Sequence, residues 1–145
     1  MVSDDLVNKF CETIGHVEGF FASGDKPNLP QRCHNPGNMT DAGDIGFGTA
    51  RSVGIGAADI TIYASDDDGW IALKKKIRHA LNGASKVYTL DMTIERFGLE
   101  YSRDPNWGRN FASRFGDITP ETTLLELVQA DQRMQEQWAA NGPKP

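Results

Sequence analysis

Near the N-terminus apolar residues recur at helical spacing, with Leu6, Val7, Phe10, Ile14 and Val17 on one stripe between Ser3 and about Glu18. Ser3 is suited to cap this helix, Asp4 and Asp5 favour its first turn, and Gly19 ends it. From Phe20 to about Asp66 the pattern breaks into Gly, Pro, Asn and Asp at short intervals. Only short β-like pieces interrupt it, Asn38-Met39-Thr40 and Ile60-Thr61-Ile62-Tyr63. This stretch reads as loops with a small antiparallel ribbon.

Helical spacing returns after Asp66-Asp67-Asp68, where Trp70, Leu73, Ile77, Ala80 and Leu81 share a face that Asn82-Gly83 terminates. Leu90, Ile94, Phe97 and Tyr101 repeat the spacing. Asp104-Pro105 is an N-cap and first-turn pair for a helix carrying Trp107, Phe111 and Phe115, stopped by Gly116. Thr123 and Glu126 form a capping box ahead of Leu127, Val128, Met134 and Trp138, and Asn141-Gly142-Pro143 closes that helix. One helix, a β-containing stretch and about four further helices make an α+β chain, read as one domain over 1–145 with a cleft beside the small lobe at about 20–66.

A chain of 145 residues can bury a core without staples. No apolar run approaches the ~20 residues that span a bilayer, and Asp4 and Asp5 stand where a secretory signal would be basic. A soluble protein made in the cytoplasm, without signal peptide or membrane insertion, is expected. The net charge of -5 argues against a nucleic-acid partner. Cys11 and Cys33 are two thiols or one disulfide. With His16 and His34 they make a poor metal set, since adjacent Cys33-His34 lacks chelating spacing, so neither metal nor cofactor is expected.

Glu18 is the most informative residue. A glutamate in a helix's last turn sits at the negative end of the macrodipole, and Val17, Phe20 and Phe21 around it favour desolvation. Both effects keep a proton on the carboxyl, as a general acid requires. Asn35-Pro36-Gly37-Asn38 then reads as a tight turn, with two carboxamides able to donate and accept toward a neutral polar ligand such as a sugar.

The succession Val-Glu-Gly-Phe-Phe, a Pro-containing loop, Asn-Pro-Gly-Asn-Met, then Ile-Tyr before Asp-Gly-Trp-Ile-Ala-Leu resembles a bacterial and phage branch of the lysozyme-like superfamily, the muramidases and lytic transglycosylases. The resemblance implies a mostly helical fold with a small antiparallel β-lobe forming a cleft. It also implies cleavage of the MurNAc-β-1,4-GlcNAc bond of peptidoglycan, with Glu18 as catalytic acid. It places Asn35, Asn38, Tyr63 and Tyr101 on the glycan, with Gly69, Trp70, Ala72 and Leu73 packing the second helix. Cys33-His34 departs from the polar residues more usual there. A phage endolysin or a delivered effector acting on the cell wall is implied, as a monomer, the effector bringing an immunity or inhibitor protein as a further partner.

A glycosidase commonly uses a second carboxylate. Asp41 and Asp44 are the candidates, and turn chemistry is their plainer reading, as for Asp25. Without a second acid, one glutamate can protonate the leaving oxygen and then take the proton of the muramyl 6-hydroxyl, giving a 1,6-anhydro end. The glycines at Gly46, Gly48, Gly54 and Gly56 lack a βαβ unit and read as hairpin glycines. Asp66-Asp67-Asp68-Gly69 lacks calcium-loop spacing and reads as capping. Lys74, Lys75, Lys76, Arg78 and His79 read as a solvated face, or one attracting anionic wall polymer. Trp107, Phe111 and Phe115 read as core. The competing function is a glycan-binding virion or secretion component without catalysis, and a cleft acting on chitin-like polymers is a third reading.

Overall fold

The structure, a computed structural model, describes residues 1–39, 50–55 and 58–142. Helices dominate them: α1 (Asp4–Val17), α2 (Leu29–Arg32), α3 (Asp66–Leu81), α4 (Ile94–Ser102), α5 (Trp107–Phe115) and α6 (Leu124–Asn141). Strands β1 (Ala50–Ile55) and β2 (Ala58–Tyr63) pair antiparallel, from Ala50 opposite Tyr63 to Ile55 opposite Ala58. The α+β description therefore holds as a helical chain with a two-stranded ribbon. No helix among the described residues is long and apolar enough to cross a membrane.

The chain divides into two compact units, one of Met1–Lys9 with Arg78–Pro145 and one of Phe10–Ile77. Helices α1 and α3 contribute residues to both. In the first unit, Ser3 caps α1 as expected, its Oγ accepting from Leu6 N at 3.1 Å. That hydroxyl donates to Asp131 of α6, whose second carboxylate oxygen accepts from Ser3 N at 2.9 Å. Asp131 is nearly buried, and these bonds satisfy it there. The segments ahead of α4 and α6 form an antiparallel bridge at Thr93 and Thr123. Helices α4 and α5 then approach closely through Gly98 and Gly108. A Cβ on Gly108 would lie 2.6 Å from Glu95 Cα, and one on Gly98 2.8 Å from Gly108 N. Phe97, Trp107 and Phe111 are buried, the last two with rings stacked 5.3 Å apart, so the core reading of that aromatic stripe holds for Trp107 and Phe111, while Phe115 is only half-buried.

Several expected boundaries shift. Leu90 lies outside α4, because the Thr93 hydroxyl accepts from Arg96 N and starts the helix there, while the Leu90 carbonyl accepts from Leu125 N. Helix α5 starts at Trp107, since Asp104 Oδ1 accepts from Asn106 N in a turn ahead of it. The capping box at Thr123 and Glu126 is present, and Gly142 closes α6 at φ +67°. Of the apolar residues that the sequence places on this last helix, Leu127 and Val128 are buried, whereas Met134 and Trp138 are 70% and 59% exposed.

In the Phe10–Ile77 unit, Phe10, Ile14, Leu73 and Ile77 are fully buried. Asn38 and Met39 are not strand; Asn38 takes a left-handed conformation (φ +47°), which ends extended pairing, and β1 supplies the second strand of the ribbon instead. The strand at Ala50–Ile55 was hidden by its composition, Ala-Arg-Ser-Val-Gly-Ile, which lacks clear alternation.

Candidate active site

Glu18 occupies the C-cap of α1. Gly19 N–H donates to His16 O (3.2 Å) and Phe20 N–H to Gly15 O (2.8 Å), the two bonds of a Schellman motif, with Gly19 left-handed at φ +83°. The positive φ explains why glycine follows the glutamate. Glu18 itself is half-buried.

An aromatic group surrounds this helix end. Phe21 stacks on Trp70 with centroids 5.7 Å apart, and Phe20 meets Trp70 edge-on at 5.5 Å. His16 lies against Phe21 at 4.3 Å. Gly15 is what admits them, since a Cβ there would sit 2.9 Å from Trp70 Cη2 and 3.0 Å from Phe21 Cε2. One turn of α1 thus presents bare backbone to the indole, three residues ahead of Glu18.

The chain after Glu18 is held by two side chains that sequence reading passed over. Asn28 and Gln31 form a reciprocal capping box on α2, Asn28 Oδ1 accepting from Gln31 N and Gln31 Oε1 from Asn28 N. Each also reaches back: Asn28 Nδ2 donates to Gly19 O at 2.6 Å, and Gln31 Nε2 to Phe20 O and Ala22 O at 2.9 and 2.8 Å. The Asn-x-x-Gln spacing with Pro30 inside it was the available signal.

From α2 the chain enters the expected turn, with Asn38 N–H donating to Asn35 O at 2.9 Å. Asn35 is fully buried. Its amide donates to Met39 O and Thr61 O, both at 2.9 Å, and its Oδ1 accepts from Met39 N. The carboxamide expected on a ligand is committed to the main chain, tying the turn to β2. Asn38 Oδ1 and Thr61 Oγ1 are buried atoms without a hydrogen-bond partner among the described residues. Tyr63 is buried, with its N–H donating to Cys33 O at 3.0 Å. The turn then rests on α3: a Cβ on Gly69 would lie 2.0 Å from His34 O and 2.8 Å from Pro36 Cδ. His34, left-handed at φ +50°, pairs with Asp66 at 2.7 Å.

Glu18, Asn35, Asn38 and Tyr63 all belong to the Phe10–Ile77 unit, while Tyr101 belongs to the other. There Tyr101 stacks on Phe97 at 5.5 Å and meets Trp107 at 5.3 Å. Asp41 and Asp44 lie outside the described residues. Cys11 and Cys33 are buried thiols rather than a bridge. Burial pushes the Cys33 thiol above its ordinary range, against the opposing pull of Arg32. No group of three or more His, Cys, Asp or Glu among the described residues is placed to hold a metal ion.

No family model, curated protein or solved structure matches the chain. The end of α1 carries one half-buried glutamate, and the aromatic residues that follow it in the chain pack on Trp70.

Proposed function

We propose that the protein cleaves the glycan strand of peptidoglycan at the MurNAc-β-1,4-GlcNAc bond, with Glu18 as general acid and base. The observation that carries this reading is the placement of Glu18: a half-buried glutamate at the C-cap of α1, followed in the chain by Phe20 and Phe21, whose rings pack on Trp70. A carboxyl at the carbonyl end of a helix keeps its proton more readily than one in water. Glu18 donates that proton to the glycosidic oxygen, the C1–O bond breaks, and positive charge develops on C1 and the ring oxygen in an oxocarbenium-like transition state. The resulting Glu18 carboxylate then takes a proton, either from water attacking C1 or from the muramyl 6-hydroxyl attacking it. The first route leaves a reducing end and the second a 1,6-anhydro end.

Asn35 supports this chemistry as a positioning residue, holding the turn against β2. Asn28 and Gln31 do the same for the backbone just after Glu18. The substrate places the site of action at the cell wall, as for a phage endolysin or a delivered effector.

Clearing of purified peptidoglycan by wild type and Glu18→Gln tests the proposal. Wild type should clear the suspension, and the variant should be at least about 100-fold slower while remaining folded, as expected for loss of a general acid. Equal clearing by both removes Glu18 from the mechanism. Sedimentation of intact protein with peptidoglycan, without clearing by either, supports a glycan-binding role instead. Mass spectrometry of released muropeptides separates reducing from anhydro ends.

A further inference from the structure

Between Asp68 and Asp91 the chain carries no acid, while Lys74, Lys75, Lys76, Arg78 and Lys86 fall there with His79. A chain of net charge -5 thus gathers one sign of charge along α3. The opposite side of that helix is core, since Ala72, Leu73, Ile77, Ala80 and Leu81 are buried. Lys75 and His79 are exposed, and Lys74, Lys76 and Arg78 are half-buried. Arg78 also meets Asp4 of α1 at 2.7 Å. Helix stability does not call for this arrangement. The macrodipole favours cations in the last turn, which accounts for Arg78 and His79 but not for three lysines ahead of it. Lys74 and Lys75 have Arg78 at i+4 and i+3, and no acid of α3 stands three or four residues from any of the lysines. Like charges so spaced repel along the helix surface, so α3 carries them at a cost to its own stability.

We infer that this face of α3 binds an anionic wall polymer whose charges are phosphodiesters, of the poly(glycerol phosphate) kind. That the polymer is one of the wall rests on the activity proposed above; its recognition rests on charge complementarity. Three consecutive residues fan across about 200° of the helix circumference. A flexible chain can follow that curve and meet all three ammonium groups. A planar lipid surface is a poorer match, because it meets one side of a helix, and the apolar side of α3 that could enter it is buried in the core. Duplex nucleic acid is poorer too, since a stiff rod of phosphates would be carried across an otherwise acidic chain. Lysine fills all three positions, and a compact ammonium takes a phosphate oxygen from any direction, whereas the planar fork of arginine suits a fixed carboxylate. Several such contacts, each weak and screened by salt, hold the protein near its substrate while leaving it able to move along the wall.

Titration of the full chain with poly(glycerol phosphate), from about 30 to about 300 mM salt, tests this. Three phosphate contacts predict binding that weakens with a log-log slope of about -2. Lys74→Gln/Lys75→Gln/Lys76→Gln should bind at least about tenfold more weakly at low salt and flatten the slope. Lys75→Gln alone, at an exposed position, should weaken binding about threefold, which serves if the triple variant is unstable. Removing three exposed charges elsewhere, as Arg96→Gln/Arg109→Gln/Arg133→Gln, should leave binding within about twofold of wild type. Absence of salt-dependent binding overturns the inference, as does equal weakening by the two triple variants. Tighter binding, dependent on the same lysines, to phosphatidylglycerol vesicles or to duplex DNA overturns it too, assigning the face to a lipid surface or to nucleic acid. Polymer binding is read without wall cleavage. Binding by a chain that clears no peptidoglycan leaves this inference standing and removes the proposed activity, and clearing without binding does the reverse.

Discussion

In the Met1–Lys9/Arg78–Pro145 unit, helices meet through stacked rings and bare backbone: Phe97, Trp107 and Phe111 fill the interior, and Gly98 and Gly108 bring α4 against α5. In the Phe10–Ile77 unit much of the chain is loop, and side-chain amides hold it, with Asn28, Gln31 and Asn35 together bonding the backbone of Gly19, Phe20, Ala22, Met39 and Thr61. A packed helix pair tolerates small adjustments by spreading them over many weak contacts. An amide cradle does so less, since each bond lost at Asn35 strands a buried polar group. The candidate acid lies in the second kind of structure, where orientation is set bond by bond.

The largest contrast should come from the glycines. In Gly69→Ala the new methyl would lie 2.0 Å from His34 O, and backbone must move to relieve it. We expect a loss of about 4 kcal/mol or more, at the extreme for single substitutions. In Gly108→Ala the nearest atom is Glu95 Cα at 2.6 Å, and α5 can slide from α4; about 2–3 kcal/mol is expected. Urea denaturation measures both. A Gly69→Ala midpoint at the wild-type value would refute the seating of the turn on α3.

Asn35→Ala should come next. It leaves Met39 N and Thr61 O without the amide that pairs them, while Met39 O keeps its bond from Thr61 N, for a loss of about 2–3 kcal/mol. Because the same amide frames the turn, wall clearing by the folded fraction should fall as well. A variant of wild-type stability would mean that solvent replaces the cradle, and the comparison between units would lose its basis.

Local signals were legible in the sequence, and long-range ones were not. Ser3, Gly19, Gly83, Thr123 with Glu126, and Gly142 mark helix ends in the residues themselves, because a cap is a bond to a neighbour two to four positions away. The spacing of Leu6, Phe10 and Ile14 likewise found a buried face. What failed depends on partners distant in sequence. Met134 and Trp138 continue a stripe whose core stops at Asp131, and only the fold determines where that core ends. Asn35 is polar and turn-forming by type, yet its fully buried position follows from Thr61 across the ribbon. Gly69 reads as part of a capping run, while its role is to let the His34 carbonyl approach, as Gly15 lets Trp70 approach. The place of Glu18 at a helix end, before a glycine and two aromatics, was legible because those residues are contiguous.

The smallest expected effect is also the most discriminating, because the same motif occurs once in each unit. Thr123 with Glu126 caps the 18-residue α6, and Asn28 with Gln31 caps the four-residue α2. Replacing either N-cap by alanine should cost about 1 kcal/mol of stability. Activity should separate them. The Thr123 hydroxyl bonds only within its own cap, so Thr123→Ala should clear peptidoglycan at the wild-type rate. Asn28→Ala releases Gly19 O, the carbonyl next to Glu18, and loosens the α2 cap from which Gln31 reaches Phe20 and Ala22. Its clearing rate should fall at least tenfold at a matched folded fraction, because the backbone that follows Glu18 is no longer held. Equal rates for the two variants would show that the backbone after Glu18 holds its conformation without the amide, and would confine Asn28 to capping α2.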